Sequence, residues 1–224
     1  MSAPLQTPSK TSSKASSEAP ETSSEAPETS SKTHYLKTPL SESDIVDINA
    51  GDVVYISGTI YTARDEAHLR ILEYDSENKA LPFDLSGAAI YHCGPVMEKS
   101  ENGWRAVAAG PTTSDRMTQM TPAVLKNHDI RVLIGKGGME GLAETMREQK
   151  CIYLSYTGGC AALAVDMIRQ VKGVSWEDLG MPEAVWELYV ENFGPLIVGI
   201  DVKGNDLFKA VKEKAILSFQ EQFE

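Results

Sequence analysis

A short apolar run, Ile130–Ile134 (IRVLI), ends in Gly135-Lys136-Gly137-Gly138 and passes into a helical pattern from Met139 to Gln149. A second run, Cys151–Tyr156, ends in Thr157-Gly158-Gly159 and passes into an apolar helical pattern from Cys160 to Gln170. Two strand–glycine loop–helix units in direct succession restrict the fold more than any other feature of the chain. Strands joined through a crossover helix run parallel. Parallel sheets are covered by helices and hold ligands outside the carboxyl ends of their strands. Both glycine loops stand at such ends.

The first half reads differently. Asp52–Tyr61 (DVVYISGTIY) is β-branched and aromatic, a strand in which Gly58 marks a bulge or a close approach. Thr62 is placed to cap a helix that runs through Asp65 and Glu66 to about Tyr74. Ser41–Asp44 opens a short capped helix. Ala88–Cys93 and Trp104–Ala109 read as two strands joined through the turn Glu101-Asn102-Gly103, since Asn-Gly is a hairpin signal. Val185–Val190 and Pro195–Asp201 read as further strands, and Leu207–Phe219 as a terminal helix. The class is α/β: a mixed sheet with an antiparallel part in the first half and βαβ units in the second. Trp104, Trp176 and Trp186 are read as packing residues.

Residues 1–33 are a different polymer. They are mostly Ser, Thr, Pro, Glu, Ala and Lys, and the heptapeptide Ser-Ser-Glu-Ala-Pro-Glu-Thr occurs at Ser16–Thr22 and again at Ser23–Thr29. Such a segment buries too little apolar area to offset its ordering entropy, so a disordered tail is expected, followed by one domain over residues 34–224. The tail has neither the apolar core of a signal peptide nor the arginines of a mitochondrial presequence. No apolar run reaches the roughly eighteen residues of a membrane span. A cytoplasmic protein is expected.

The net charge of −11 argues against a general nucleic-acid binder, which needs a basic face for phosphates. Against that background any local cationic cluster gains interest. Cys93, Cys151 and Cys160 are odd in number and form no C-x-x-C pair, so a disulfide framework is not expected. They do not read as a ferredoxin-type ligand set, and four scattered histidines complete no zinc pattern. No metal ligands are assigned.

Candidate chemistry centres on Gly110-Pro111-Thr112-Thr113-Ser114-Asp115-Arg116-Met117. It follows a strand and precedes a segment, Met117 to His128, with helical character. Its three hydroxyls stand where a helix needs an N-cap, and the N–H groups of a helix start favour an anion. In a first helical turn Thr112 and Arg116 would share a face. Gly135-Lys136-Gly137-Gly138 lacks the pattern of a Walker loop, which leaves a glycine-lined approach beside a lysine, or a tight turn with a solvated lysine. Arg64 opens a helix, the wrong end for a cation unless an anion binds there; pairing with Asp65 or Glu66 is the plainer reading. His68, one turn later, can orient Arg64, act as a base, or be a half-buried structural residue. Arg64, Arg116 and Lys136 together are three cations, each at a strand-to-helix junction. They suit a small dicarboxylate, with Thr112 beside them to donate or accept a proton.

Five segments then carry a resemblance: SGTIYTARDEAH (Ser57–His68), GPTTSDRM (Gly110–Met117), IGKGGM (Ile134–Met139), GGCAAL (Gly158–Leu163) and LGMPEAVW (Leu179–Trp186). In this order they resemble the beta subunit, or C-terminal domain, of class I iron–sulfur fumarate hydratases, and tartrate dehydratase beta subunits are similar. The resemblance spans about Leu36 to Leu207. It implies a swivelling β/β/α domain. It implies reversible hydration of fumarate to (S)-malate, at a [4Fe–4S] cluster ligated by a partner alpha subunit, in a hetero-oligomer such as α2β2. It implies Arg64, Arg116 and Lys136 as carboxylate and hydroxyl binders and Thr112 as the acid/base residue. His68, Thr113, Gly135 and Gly137 are expected to support them. Asp115 departs from the family pattern, which often has a small residue there. The alternatives are an L(+)-tartrate dehydratase beta subunit, or an anion-binding or assembly module without catalysis.

Overall fold

The structure, a computed structural model, describes residues 31–222 apart from Asn102. The expected disordered tail therefore lies almost wholly outside the described residues. So does the asparagine of the hairpin turn.

In chain order the elements are β1 (Thr33–Lys37), β2 (Val53–Thr62), α1 (Asp65–Ser76), β3 (Ala88–Tyr91), β4 (Val96–Ser100), β5 (Gly103–Ala108), α2 (Thr121–Asn127), β6 (Ile130–Gly135), α3 (Ala143–Gln149), β7 (Ile152–Ser155), α4 (Ala161–Asp166), β8 (Ile168–Ser175), β9 (Val185–Ile200) and α5 (Leu207–Glu221). A seven-stranded mixed sheet runs β1-β2-β3-β6-β7-β9-β8, and β4 and β5 form a separate hairpin. Strands β1, β2, β3, β6 and β7 pair in parallel. Strand β9 is antiparallel to β7, β8 and β2, and by pairing with both β7 and β2 it closes β2-β3-β6-β7-β9 into a ring. The class read from the sequence, α/β with a mixed sheet and βαβ units, is the class observed.

The short central strands are buried on both faces, and their alternate residues feed two cores. In β3, Ala89 and Tyr91 enter one cluster, and Ala88 and Ile90 the other. Strands β6 and β7 divide the same way: Val132, Ile134, Ile152 and Leu154 face the first, Ile130, Leu133 and Tyr153 the second. The second cluster also holds Ala67 and Ile71 of α1, Val124 and Leu125 of α2, and Met146 of α3, so these helices cover the outside. This explains why the strands read as continuous apolar runs rather than alternating ones. Trp186 is buried in the first cluster with Trp104 edge-on to it at 5.1 Å, as packing residues.

Several sequence expectations are corrected. Thr62 does not cap α1. It ends β2, and its hydroxyl accepts the Trp186 N–H at 3.0 Å; Arg64 holds the N-cap position. Ala88–Cys93 is not the hairpin partner of the strand at Trp104: β4 takes that place, and β3 joins the large sheet. Two strands compete for the same hairpin partner, and only the sheet decides. The helix expected over Cys160–Gln170 stops at Asp166, because Ile168 onward finds a strand partner in β9. The two strands expected over 185–201 are one strand that turns from β8 and β2 onto β7. Helix α3 begins at Ala143, not Met139, and β1 begins at Thr33, inside the segment read as tail. Gly58 behaves as expected: φ is +106°, and a Cβ there would lie 2.4 Å from Thr38 Oγ1.

Candidate functional site

Strands β2, β3 and β6 are parallel, so their carboxyl ends share one edge of the sheet. Arg64 follows β2, His92 follows β3 and Lys136 follows β6. The loop after β5 is threaded along the same edge. The Thr112 N–H donates to the His92 carbonyl at 2.7 Å, the Lys136 N–H to the Thr112 carbonyl at 3.1 Å, and the Ser114 N–H to the Lys136 carbonyl at 3.1 Å. Thr113 and Lys136 form a parallel bridge. Thr112 and Lys136 are thus fixed to one another by backbone.

The expected helical turn that would align Thr112 with Arg116 is absent. Thr112 lies before a 3-10 turn, Ser114–Met117, and α2 starts only at Thr121. A different device brings Arg116 to the site. Its Nη2 lies 2.8 Å from Asp65 Oδ2, and Arg64 Nη2 lies 3.6 Å from the same oxygen. Arg64 Nε also pairs with Glu183 Oε1 at 3.1 Å, and Glu183 Oε2 accepts the Glu66 N–H. So Asp65, as expected, but Glu183 rather than Glu66, holds Arg64. Glu183 lies too far along the chain for spacing to reveal it. Arg116 remains half exposed. Gly94 makes room for Arg64, since a Cβ there would lie 2.5 Å from Nη1.

Among the described residues no carboxylate pairs with Lys136, and no side chain hydrogen-bonds the Thr112 hydroxyl. Asp115 is turned away from Arg116: its Oδ1 lies 3.3 Å from the Thr118 hydroxyl. Thr113 and Asp115 border a groove of about 420 Å³ against α5, which Arg64, Thr112, Arg116 and Lys136 do not line.

His68 is fully buried rather than half-buried. Its Nδ1 donates to the Arg64 carbonyl at 2.9 Å, so it supports the α1 start and does not face solvent as a base. His92 lies edge-on to it, ring centres 5.3 Å apart. Burial pushes the proton affinity of His68 down, partly opposed by the Arg64 carbonyl and Asp65. Burial pushes His92 well down, and His68 adds to it. Both histidines therefore bind protons less readily folded than unfolded, where the ordinary value is 6.5. Below that pH the unfolded chain takes up more protons, so stability is complete above it and is lost on acidification. Each ring contributes up to about 1.4 kcal/mol per pH unit. The melting temperature is expected to fall from pH 6.5 towards 5, and His92→Asn to make the fall shallower. An unchanged slope in that variant would contradict the assignment.

The cysteines do not suit a cluster. Burial pushes the Cys93 thiol up to about 12 and Cys151 higher still. Cys160 Sγ donates to the Thr157 carbonyl. Among the described residues no three His, Cys, Asp or Glu side chains group in a way that could hold a metal ion. The described residues offer no ligand set for an iron–sulfur cluster. Nor is any described helix long and apolar enough to cross a membrane.

A family model described as Fumarase C-terminus matches residues 6–211. The chain belongs to that family. It is 46% identical over 182 residues to a putative L(+)-tartrate dehydratase subunit beta of Methanocaldococcus jannaschii, covering 80% of this chain and 93% of that protein. It is 40% identical over 179 residues to the L(+)-tartrate dehydratase subunit beta of Escherichia coli, covering 80% and 88%. It is 42% identical over 190 residues to a putative fumarate hydratase class I of Geobacillus stearothermophilus, covering 84% of this chain but 36% of that one. In this Fumarase C-terminus chain the four residues singled out from sequence, Arg64, Thr112, Arg116 and Lys136, stand along one sheet edge. His92, Ser114, Tyr153 and Glu183 join them only in three dimensions.

Proposed function

We propose that this chain is the beta subunit of a hydro-lyase for four-carbon dicarboxylates, with fumarate and (S)-malate as its substrate pair. The observation that carries this is the convergence of Arg64 and Arg116 on one carboxylate oxygen, Asp65 Oδ2. That oxygen and Arg64 Nε are both buried, and their contacts with Arg116 Nη2 and Glu183 Oε1 are ion pairs without hydrogen-bond geometry. Two guanidinia already flank a carboxylate with donors to spare, so a substrate carboxylate is chemically at home there. Lys136, without an acidic partner among the described residues, takes the second carboxylate or the hydroxyl. Hydration adds a proton at one carbon and hydroxide at the other, and the carbanion formed on the way spreads into the neighbouring carboxylate. Cations already in place stabilise that growing charge without reorganising. The Thr112 hydroxyl, without a side-chain partner among the described residues, holds and passes the proton in this reading.

The cysteine-bearing alpha subunit supplies the [4Fe–4S] cluster and the remaining half of the site. The long fumarate hydratase relative supports this, because most of its length has no counterpart here. The chain alone is therefore inactive, and the assembly is a hetero-oligomer working in the cytoplasm. The two tartrate dehydratase subunits, matched over most of their own length, favour L(+)-tartrate as the second reading.

The test is co-expression with the cognate alpha subunit, anaerobic reconstitution, and assay of both reactions. Fumarate hydration is the expected result. Turnover of tartrate alone selects the second reading. No turnover of either, with the cluster intact, leaves an anion-binding or assembly module and overturns the enzymatic proposal.

A further inference from the structure

Behind the site runs a line of buried polar groups that take no part in substrate binding or proton transfer there. His92 Nδ1 lies 2.8 Å from Ser114 Oγ, Ser114 Oγ lies 3.1 Å from the Tyr153 hydroxyl, and Tyr153 lies 2.7 Å from the Gly137 carbonyl. His92, Ser114 and Tyr153 are all fully buried. Their protons can be assigned by elimination. A carbonyl only accepts, and a tyrosine has one proton, so Tyr153 donates to Gly137. The serine then donates to the tyrosine oxygen, and His92 Nδ1–H donates to the serine. Ser114 and Tyr153 each give one proton and accept one, the arrangement in which successive hydrogen bonds strengthen each other. The opposite end agrees. His92 Nε2 is buried with no hydrogen-bond partner among the described residues, and a bare lone pair is cheaper to leave there than an N–H.

We propose that His92, Ser114 and Tyr153 are positioning residues that lock the Thr112 loop and the Lys136 loop into one geometry through a one-way donor chain ending on the Gly137 carbonyl. The chain ties four separate segments. His92 also accepts the Thr112 N–H, Ser114 sits two residues from both Thr112 and Arg116, and Gly137 follows Lys136. Gly135 makes the passage possible: a Cβ there would stand 1.8 Å from Ser114 Oγ and 3.2 Å from His92 Nδ1. The consequence for catalysis rests on the proposed hydro-lyase reading; the hydrogen-bond chain itself does not.

Two measurements test it separately. On the isolated chain, nitrogen-15 NMR of the imidazoles is expected to show His92 as the Nδ1–H tautomer. Tyr153→Phe, which removes one hydroxyl and keeps the ring, is expected to speed amide exchange at Ser114 and Lys136 while leaving the β2–β9 core protected. An Nε2–H tautomer, or exchange that rises everywhere alike, overturns the positioning chain whatever the substrate. In the reconstituted complex Tyr153→Phe is expected to lower kcat by about ten- to a hundred-fold, as loss of a supporting partner commonly does. Unchanged kcat in a variant with faster exchange at Lys136 overturns the catalytic consequence. A wild-type complex inactive on both substrates counts against the hydro-lyase reading, and the tautomer still judges the chain.

Discussion

Thr112→Ala is expected to lower kcat of the reconstituted complex by roughly 10²–10⁴-fold, the usual contribution of a positioned acid/base group. KM should change little. In the proposed site substrate is held by Arg64, Arg116 and Lys136, and among the described residues none of these uses the threonine side chain as a partner. The loop should keep its course too, since Thr112 is fixed through its backbone N–H and carbonyl, which alanine retains. Steady-state kinetics with fumarate and malate decide the matter. A rise in KM with kcat intact would move Thr112 from proton transfer to binding.

Asp201→Ala should produce the largest loss of stability, about 3–5 kcal/mol. The Asp201 carboxylate is fully buried in the turn between β9 and α5. Its Oδ1 accepts the Lys203 and Asn205 N–H groups at 2.9 and 3.0 Å. Its Oδ2 accepts the Ala50 N–H at 3.0 Å and the Asn205 side-chain amide at 2.8 Å. One side chain thereby ties the start of β2 to the end of β9, 151 residues away along the chain. Alanine would orphan four donors at roughly 1–3 kcal/mol each, less what admitted water recovers. For a domain of this size the melting temperature should drop by about 6–20 °C. Asp201→Asn keeps one accepting oxygen and should fall between. A loss under about 1 kcal/mol for the alanine variant would show that water replaces the carboxylate freely.

Much of the fold was legible because its signals are local. The IRVLI run, the glycines after it and the second such unit specify parallel strands through chain geometry alone, and β6 and β7 lie as that geometry requires. The errors share one cause. Where a segment had two admissible partners, local pattern could not choose. The Asn-Gly signal ahead of β5 admits either β3 or β4 as partner, but β4 is nearer and β3 has β6 beside it. The apolar spacing of 160–170 permits a helix through Ile168–Gln170, but β9 offers those residues an antiparallel neighbour.

The same division holds at the site. Arg64, Thr112, Arg116 and Lys136 were legible as polar or cationic groups at breaks after strands, and the family motifs confined the chemistry further. Sequence by itself determined the residue types, the strand-end positions and family membership, because these follow from local propensity and ordered motifs. Only the tertiary structure decided what connects them. Asp65 joins two arginines across the site, and Glu183 reaches Arg64 from 119 residues away, as the numbering gives for 183 and 64. His92, Ser114 and Tyr153 meet only because β3, β6 and β7 stand side by side. Hydrogen bonds of a few ångströms depend on where the sheet places distant segments, and no spacing along the chain records that.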